Sequence, residues 1–202
     1  MRQARLMGED SETRKAFDLS LEKPAIVQRY GRHSLGKSLL LARRLVAFGV
    51  RVVLVRYSGW DHHQQIKQRM TYGFPAKLVA VDQSLPALID DLQEQGLDER
   101  VTVLLSSEFG RTPRVNAAGG RDHWPRASSA LLFGAGVRKG VVYGKTDAIG
   151  EEPAEDAVSP ADLHATVLAA LKVPHDKAMQ TADGRPIPLV ERGAKPITEI
   201  LT

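Results

Sequence analysis

Two runs of this chain carry side chains able to do chemistry together. The first is Ser107-Glu108-Phe109-Gly110-Arg111-Thr112-Pro113, followed shortly by Gly120-Arg121-Asp122-His123-Trp124-Pro125. The second is Trp60-Asp61-His62-His63. Carboxylate and imidazole are the donors that zinc, manganese and iron accept, and guanidinium is the fork that grips phosphate or sulfate oxygens. Asp61 and His63 sit two residues apart, a spacing that aims both at one ion on an extended turn, with His62 as the competing ring. Glu108 is a candidate metal ligand or base whose ordinary alternative is an ion pair with Arg111, three residues on. His123 is a further ligand candidate. Arg111 and Arg121 are candidate anion binders, Asp122 and Trp124 candidate supports, and Arg114 reads as a local ion-pair partner. His164 reads as a packed structural histidine.

A third match is literal. Gly31-Arg32-His33-Ser34-Leu35-Gly36-Lys37-Ser38 fits the phosphate-cradling pattern G-x-x-x-x-G-K-[ST]. That pattern requires a buried strand directly before it. Only the short run Ala25-Ile26-Val27 offers one, so a tight turn opening an amphipathic helix is the favoured reading and nucleotide binding through Gly31–Ser38 the weaker one.

The elements that must position these groups follow from periodicity. Leu35, Leu39, Ala42 and Val46 recur at helical spacing over 34–48, and Gly49 stands where that helix would stop. A strand is expected over 51–57. A longer helical pattern covers 76–95, with Leu78, Val81, Leu85, Leu88 and Leu92 on one face and Pro86 interrupting its hydrogen bonds. Val101 to Leu105 reads as a buried parallel strand, Ser129 to Phe133 as a third strand and Val141 to Tyr143 as a short fourth. Ser159-Pro160-Ala161-Asp162 is a helix start, with Leu163, Val167 and Leu171 as its apolar stripe. Strand and helix alternate with short connections, which predicts an α/β fold with a mostly parallel sheet flanked by helices. Both chemical runs then lie past the carboxyl ends of strands, where ligands bind in such sheets. The organisation expected is a single domain over 1–202, with an amino-terminal arm over 1–33 and a carboxyl-terminal surface segment over 174–202.

The chain has 202 residues, enough for a sizeable core, and its 43% apolar and 26% charged content is ordinary for a globular protein. With no cysteine, disulfides and thiolate metal sites are excluded. Any metal must use His, Asp and Glu. Residues 1–70 hold 14 Lys and Arg against 6 Asp and Glu, whereas the remainder hold 14 against 18. The basic residues are scattered through helical pattern, as in Ala42-Arg43-Arg44-Leu45, which predicts a solvated helix face and no nucleic-acid partner. No run suits a membrane span, and no export signal is visible, so a cytoplasmic location is expected of the chain as it stands.

Taken in order, Ala42-Arg43-Arg44-Leu45, Gly59-Trp60-Asp61-x-His63, Ser107-Glu108-Phe109-Gly110-Arg111-Thr112-Pro113, Gly120-Arg121-Asp122-His123-Trp124-Pro125 and Asp162-Leu163-His164-Ala165-Thr166 resemble the carboxyl-terminal half of the bacterial family called domain of unknown function 1501. That family is regarded as sulfatase-like, within the alkaline phosphatase superfamily. The resemblance implies a metal-dependent hydrolase of sulfate or phosphate esters, with Asp61, His63, Glu108 and His123 as ligands to a divalent metal (zinc, manganese, calcium or iron). It also implies export for full-length members. Where many relatives carry Asp-His, this chain reads Glu108-Phe109, and no Ser or Thr stands in the nucleophile's context. The resemblance therefore implies a partial member. The alternative is a non-catalytic binding or accessory protein of the same fold. A sheet lacking its first strands would expose an edge, so self-association is expected.

Overall fold

The computed structural model describes residues 11–66 and 74–202. The chain divides into two compact units, the first ending at Leu97 and the second covering Asp98–Thr202.

The described part of the first unit is helical. Helix α1 covers Ser11–Phe17, a single 3₁₀ turn covers Leu19–Leu21, and α2 covers Pro24–Tyr30. Helix α3 covers Ser34–Ala47 and α4 covers Phe74–Glu94. The expected arm is thus a pair of short helices and a turn, with Tyr30 fully buried at its end. Helix α4 runs unbroken through Pro86, whose ring removes one backbone donor without ending the helix. Its buried face is Ala80, Ser84, Ala87, Leu88, Asp91 and Leu92. Of the stripe expected from the sequence, Leu88 and Leu92 lie on this face, Val81 and Leu85 are half-buried and Leu78 is exposed. Small and polar residues face inward here because they have partners. Ser84 Oγ donates to the Ala80 carbonyl, and Asp91 Oδ2 accepts from Tyr30 OH at 2.9 Å and from Arg43 Nε at 2.7 Å.

Arg43 continues this network by donating to Glu22 Oε2 at 2.8 Å, while Arg44 donates to Glu22 Oε1 and to the Lys15 and Ala16 carbonyls. The expectation of a solvated basic face on this helix fails at Arg43, which is buried and bonded to two carboxylates. Burial pushes the Tyr30 hydroxyl well up, and the Asp91 carboxylate beside it adds to the shift. Burial also raises the Glu22 carboxyl, but the hydrogen bonds from Arg43 and Arg44 outweigh it and hold that group below its usual value.

Residues 51–57, expected as a strand, form no strand and belong to no β-ladder among the described residues. Val52 and Leu54 are 84% and 83% exposed there. The apolar run Val52 to Val55 that reads as a strand is present in the chain, but among the described residues it gains no strand partner.

The second unit holds the described strands. β1 (Thr102–Leu105) pairs with β4 (Leu131–Gly134), and β2 (Gly110–Arg111) with β3 (His123–Trp124). β5 (Lys145–Thr146) pairs with β6 (Pro153–Glu155), and β7 (Ala178–Gln180) with β8 (Pro186–Pro188). Every one of these ladders is two-stranded and antiparallel. The mostly parallel sheet expected from the alternating pattern is not formed among the described residues. Val101 to Leu105 and Ser129 to Phe133 do form strands, but they pair with each other in opposite directions. Val141 to Tyr143 lies outside any strand.

Helix α5 covers Pro160–Ala170 and starts with the capping box that the sequence announced. Ser159 Oγ accepts from the Asp162 N–H, and Asp162 Oδ2 accepts in return from Ser159. Asp162 Oδ1 accepts from Lys195 N–H, and that bond, aided by Ser159, holds the carboxyl below its usual value. Ala165, Thr166 and Ala170 form the buried face, while Leu171 and His164 are exposed. His164 is therefore not the packed residue it was expected to be. The carboxyl-terminal segment is more than surface wrapping, since Val190 and Ile197 are buried and Ile197 N–H donates to Thr166 Oγ1.

Candidate metal and anion site

In the first unit, Asp61 and His63 stand next to each other. Asp61 Oδ1 lies 2.9 Å from His63 Nε2, and both side chains are about half exposed. The turn before them is held by Lys77, whose Nζ donates to the Ser58 carbonyl and lies 4.3 Å from the centre of the Tyr57 ring. Tyr57 meets Trp60 edge-on at 5.8 Å. Gly59 has φ +89°, and a Cβ there would come within 2.9 Å of Lys77 Nζ. Glycine therefore lets the backbone turn so that Trp60 rests near the lysine and Asp61 follows it outward.

In the second unit, β1 and β4 hold the two ends of the β2–β3 ribbon, with Leu105 opposite Leu131 at its base. The Glu108 run thus does follow a strand, as the sequence indicated. Arg111 and His123 are direct cross-strand partners. The His123 ring packs on Phe109 at 4.2 Å between centres, and the Arg111 guanidinium lies 5.1 Å from the same phenyl ring. Phe109 is thereby a common platform for the imidazole and the cation. Arg111 Nη2 reaches Glu108 Oε1 at 3.4 Å, a long contact on a carboxylate that is 63% exposed. Such a pair gives little stability and leaves the carboxylate open to another partner. Gly110 is required for close approach, since a Cβ would stand 1.8 Å from the Ala127 carbonyl oxygen.

Arg121, expected as an anion binder, engages the backbone of the loop. Its Nη1 donates to the carbonyls of Thr112 and Pro113, which commits that nitrogen to the backbone. The loop between β2 and β3 is closed by further bonds. Thr112 N–H donates to the Asp122 carbonyl and Asp122 N–H to Thr112 Oγ1. Asn116 Nδ2 donates to both Asp122 carboxylate oxygens, and Asn116 Oδ1 accepts from Gly120 N–H. Trp124 Nε1 donates to the Glu151 carbonyl at 2.7 Å, which docks the turn at 147–152 against the ribbon. Arg114 Nε lies 3.8 Å from Glu151 Oε1, the local pairing expected of it. Sequence reasoning missed Thr112, Asn116 and Glu151. The run Asn116-Ala117-Ala118-Gly119-Gly120 was the available signal, because Asn and Gly together mark a side-chain-closed turn.

The Gly31–Ser38 match is built on two helices. Ala25–Val27 lie in α2, Gly31 ends that helix with φ +87°, and His33 opens α3. His33 Nδ1 accepts from Gly36 N–H, and Lys37 N–H donates to the His33 carbonyl. Two amides of the pattern are bonded within the turn, and a helix stands where a phosphate-binding loop requires a strand.

The family described as "Protein of unknown function (DUF1501)" matches residues 2–201. The chain belongs to that family. No curated protein and no solved structure matches this DUF1501 chain. Among its described residues, no helix is long and apolar enough to cross a membrane.

Proposed function

We propose that this DUF1501 chain is part of a metal-dependent hydrolase of sulfate or phosphate esters, of the sulfatase-like, alkaline phosphatase-like kind. The candidate ligands are Asp61, His63, Glu108 and His123, and Arg111 is the candidate contact for the ester's anionic oxygens. The observation that carries the reading is the Asp61–His63 donor pair. Two donors at ~2.0–2.1 Å from a tetrahedral zinc stand roughly 3.3 Å apart. Asp61 Oδ1 and His63 Nε2, at 2.9 Å, are within a small adjustment of that spacing. The donor chemistry therefore suits a borderline divalent ion.

When bound, the ion supplies charge to neutralise ester oxygens. The side chains of the ribbon would bind and orient the ester. Arg111, on its phenyl platform, presents guanidinium N–H groups to an anion, and Phe109 restricts the orientation of His123. The rigid loop behind Arg121 and Asp122 fixes the start of β3.

A second reading, a non-catalytic accessory protein of the same fold, is favoured by one observation. Phe109, at the place where the family resemblance implies an imidazole ligand, packs on His123 and offers no donor. Bound-metal stoichiometry by elemental mass spectrometry separates the readings. Near-stoichiometric metal in the wild type, lost in Asp61→Ala/His123→Ala, supports the hydrolase and justifies screening chromogenic sulfate and phosphate esters. Metal in neither protein overturns it in favour of the accessory protein.

A further inference from the structure

The second unit contains an open pocket of about 270 Å³, lined by residues 112–116 together with Asp122, Trp124 and Glu151. Pockets for drug-sized ligands run from about 300 to 1,000 Å³, so this one is sized for a single ring. Its one guanidinium and two carboxylates offer no surplus of cations for an anion, and the guanidinium opposes an ammonium group. Its lining combines apolar Trp124, Pro113 and Val115 with polar Arg114, Asn116, Thr112 and Glu151.

Arg114 and Glu151 stand with Nε and Oε1 at 3.8 Å, beyond hydrogen-bond distance, and Arg114 is 82% exposed. Side by side they offer a donor and an acceptor, which is what a hydroxyl group, itself both, can bridge. The frame is rigid before any ligand arrives. Asn116, Arg121 and Thr112 close the loop, and the Trp124 indole is fixed by its bond to the Glu151 carbonyl. Arg126, ion-paired with Glu152, lies over the same indole at 5.6 Å.

We propose that this cavity is a binding site for one neutral pyranose ring, its C–H face against Trp124 and vicinal hydroxyls between Arg114 and Glu151. It deepens the hydrolase reading by naming a sugar as the alcohol part of the ester, and only that last step rests on that reading. Binding itself needs no metal.

The test uses the full chain carrying Trp60→Phe, so that Trp124 is the one remaining tryptophan. Its emission is titrated with methyl pyranosides of glucose, galactose, mannose and xylose, in the presence of a chelator, up to about 50 mM, past the millimolar constants of weak small-ligand binding. A saturable change with at least one pyranoside is expected. Arg114→Ala and Glu151→Gln, which alter the exposed Arg114 and the half-buried Glu151 and leave the loop bonds in place, should weaken it about five- to tenfold. No change with any pyranoside, a change unaltered in both variants, or saturation by a choline probe in place of the sugars overturns the proposal. Because chelator is present, pyranoside binding without metal binding leaves the sugar site standing while the hydrolase reading falls. The reverse result removes only the sugar site.

Discussion

One charged cluster from each unit shows the same residue types used in opposite ways. In the first, Arg43 and Asp91 have side chains only 8% and 3% exposed, and each makes short bonds to more than one partner. In the second, Glu108 and Arg111 touch at 3.4 Å with 63% and 23% exposure. The first cluster is sealed, with its charges matched inside the fold. The second is open, with its chemistry turned toward solvent. Charge in a sequence marks neither case by itself; saturation of hydrogen bonds and access to water distinguish a group that holds the fold from one available to a ligand.

The contrast has measurable consequences. The largest belongs to the sealed cluster. Asp91→Ala removes the shared acceptor and leaves the Arg43 cation and the Tyr30 hydroxyl buried, so chemical denaturation should show a loss of about 3–5 kcal/mol. A loss under 1 kcal/mol would mean that water reaches this network.

A smaller effect is expected from pH. The folded Glu22 carboxyl titrates below its ordinary value of 4.5, so its contribution is fully present above that value and is lost as pH falls through the folded pKa. Denaturation midpoints of the wild type should therefore decline below about pH 4.5. Glu22→Gln should be less stable at neutral pH and show a flatter acid limb. Equal acid limbs would assign the pH response to other carboxylates.

The smallest effect on stability belongs to the open cluster. Glu108→Gln should change the unfolding free energy by less than about 0.5 kcal/mol, as for other exposed pairs, while lowering bound metal. A large destabilisation would place Glu108 among the structural charges and erase the distinction between the units.

Local signals were well read from the sequence. Ser159 to Asp162 announced a capping box, Gly49 a helix end, and Val101 to Leu105 a strand, because each depends on neighbours a few residues away. Pairing direction was not legible. β1 and β4 look like members of a parallel sheet in composition, yet what joins them antiparallel is their returning connection through the β2–β3 ribbon. The buried face of α4 was legible only in part, through Leu88 and Leu92, for a related reason. Ser84 and Asp91 count as outward residues until Ala80, Tyr30 and Arg43 are known to bond them. Of the candidate site, Asp61 with His63 and Glu108 with Arg111 were legible as short-range pairs. The cross-strand meeting of Arg111 with His123, the carbonyl bonds of Arg121 and the cavity beside Trp124 required the fold.

The grip of α5 on the chain's last residues acts as a ruler. Asp162 and Thr166 are one helical turn apart and rise ~6 Å, while two residues of extended chain advance ~6.6 Å. Lys195 and Ile197 are spaced to match, and they are held by their amides, whatever side chains they carry. Selection at these positions is thereby split. Spacing is constrained, the outward side chain at 195 is free to vary, and a shift of one residue would turn Ile197 away from the core it fills.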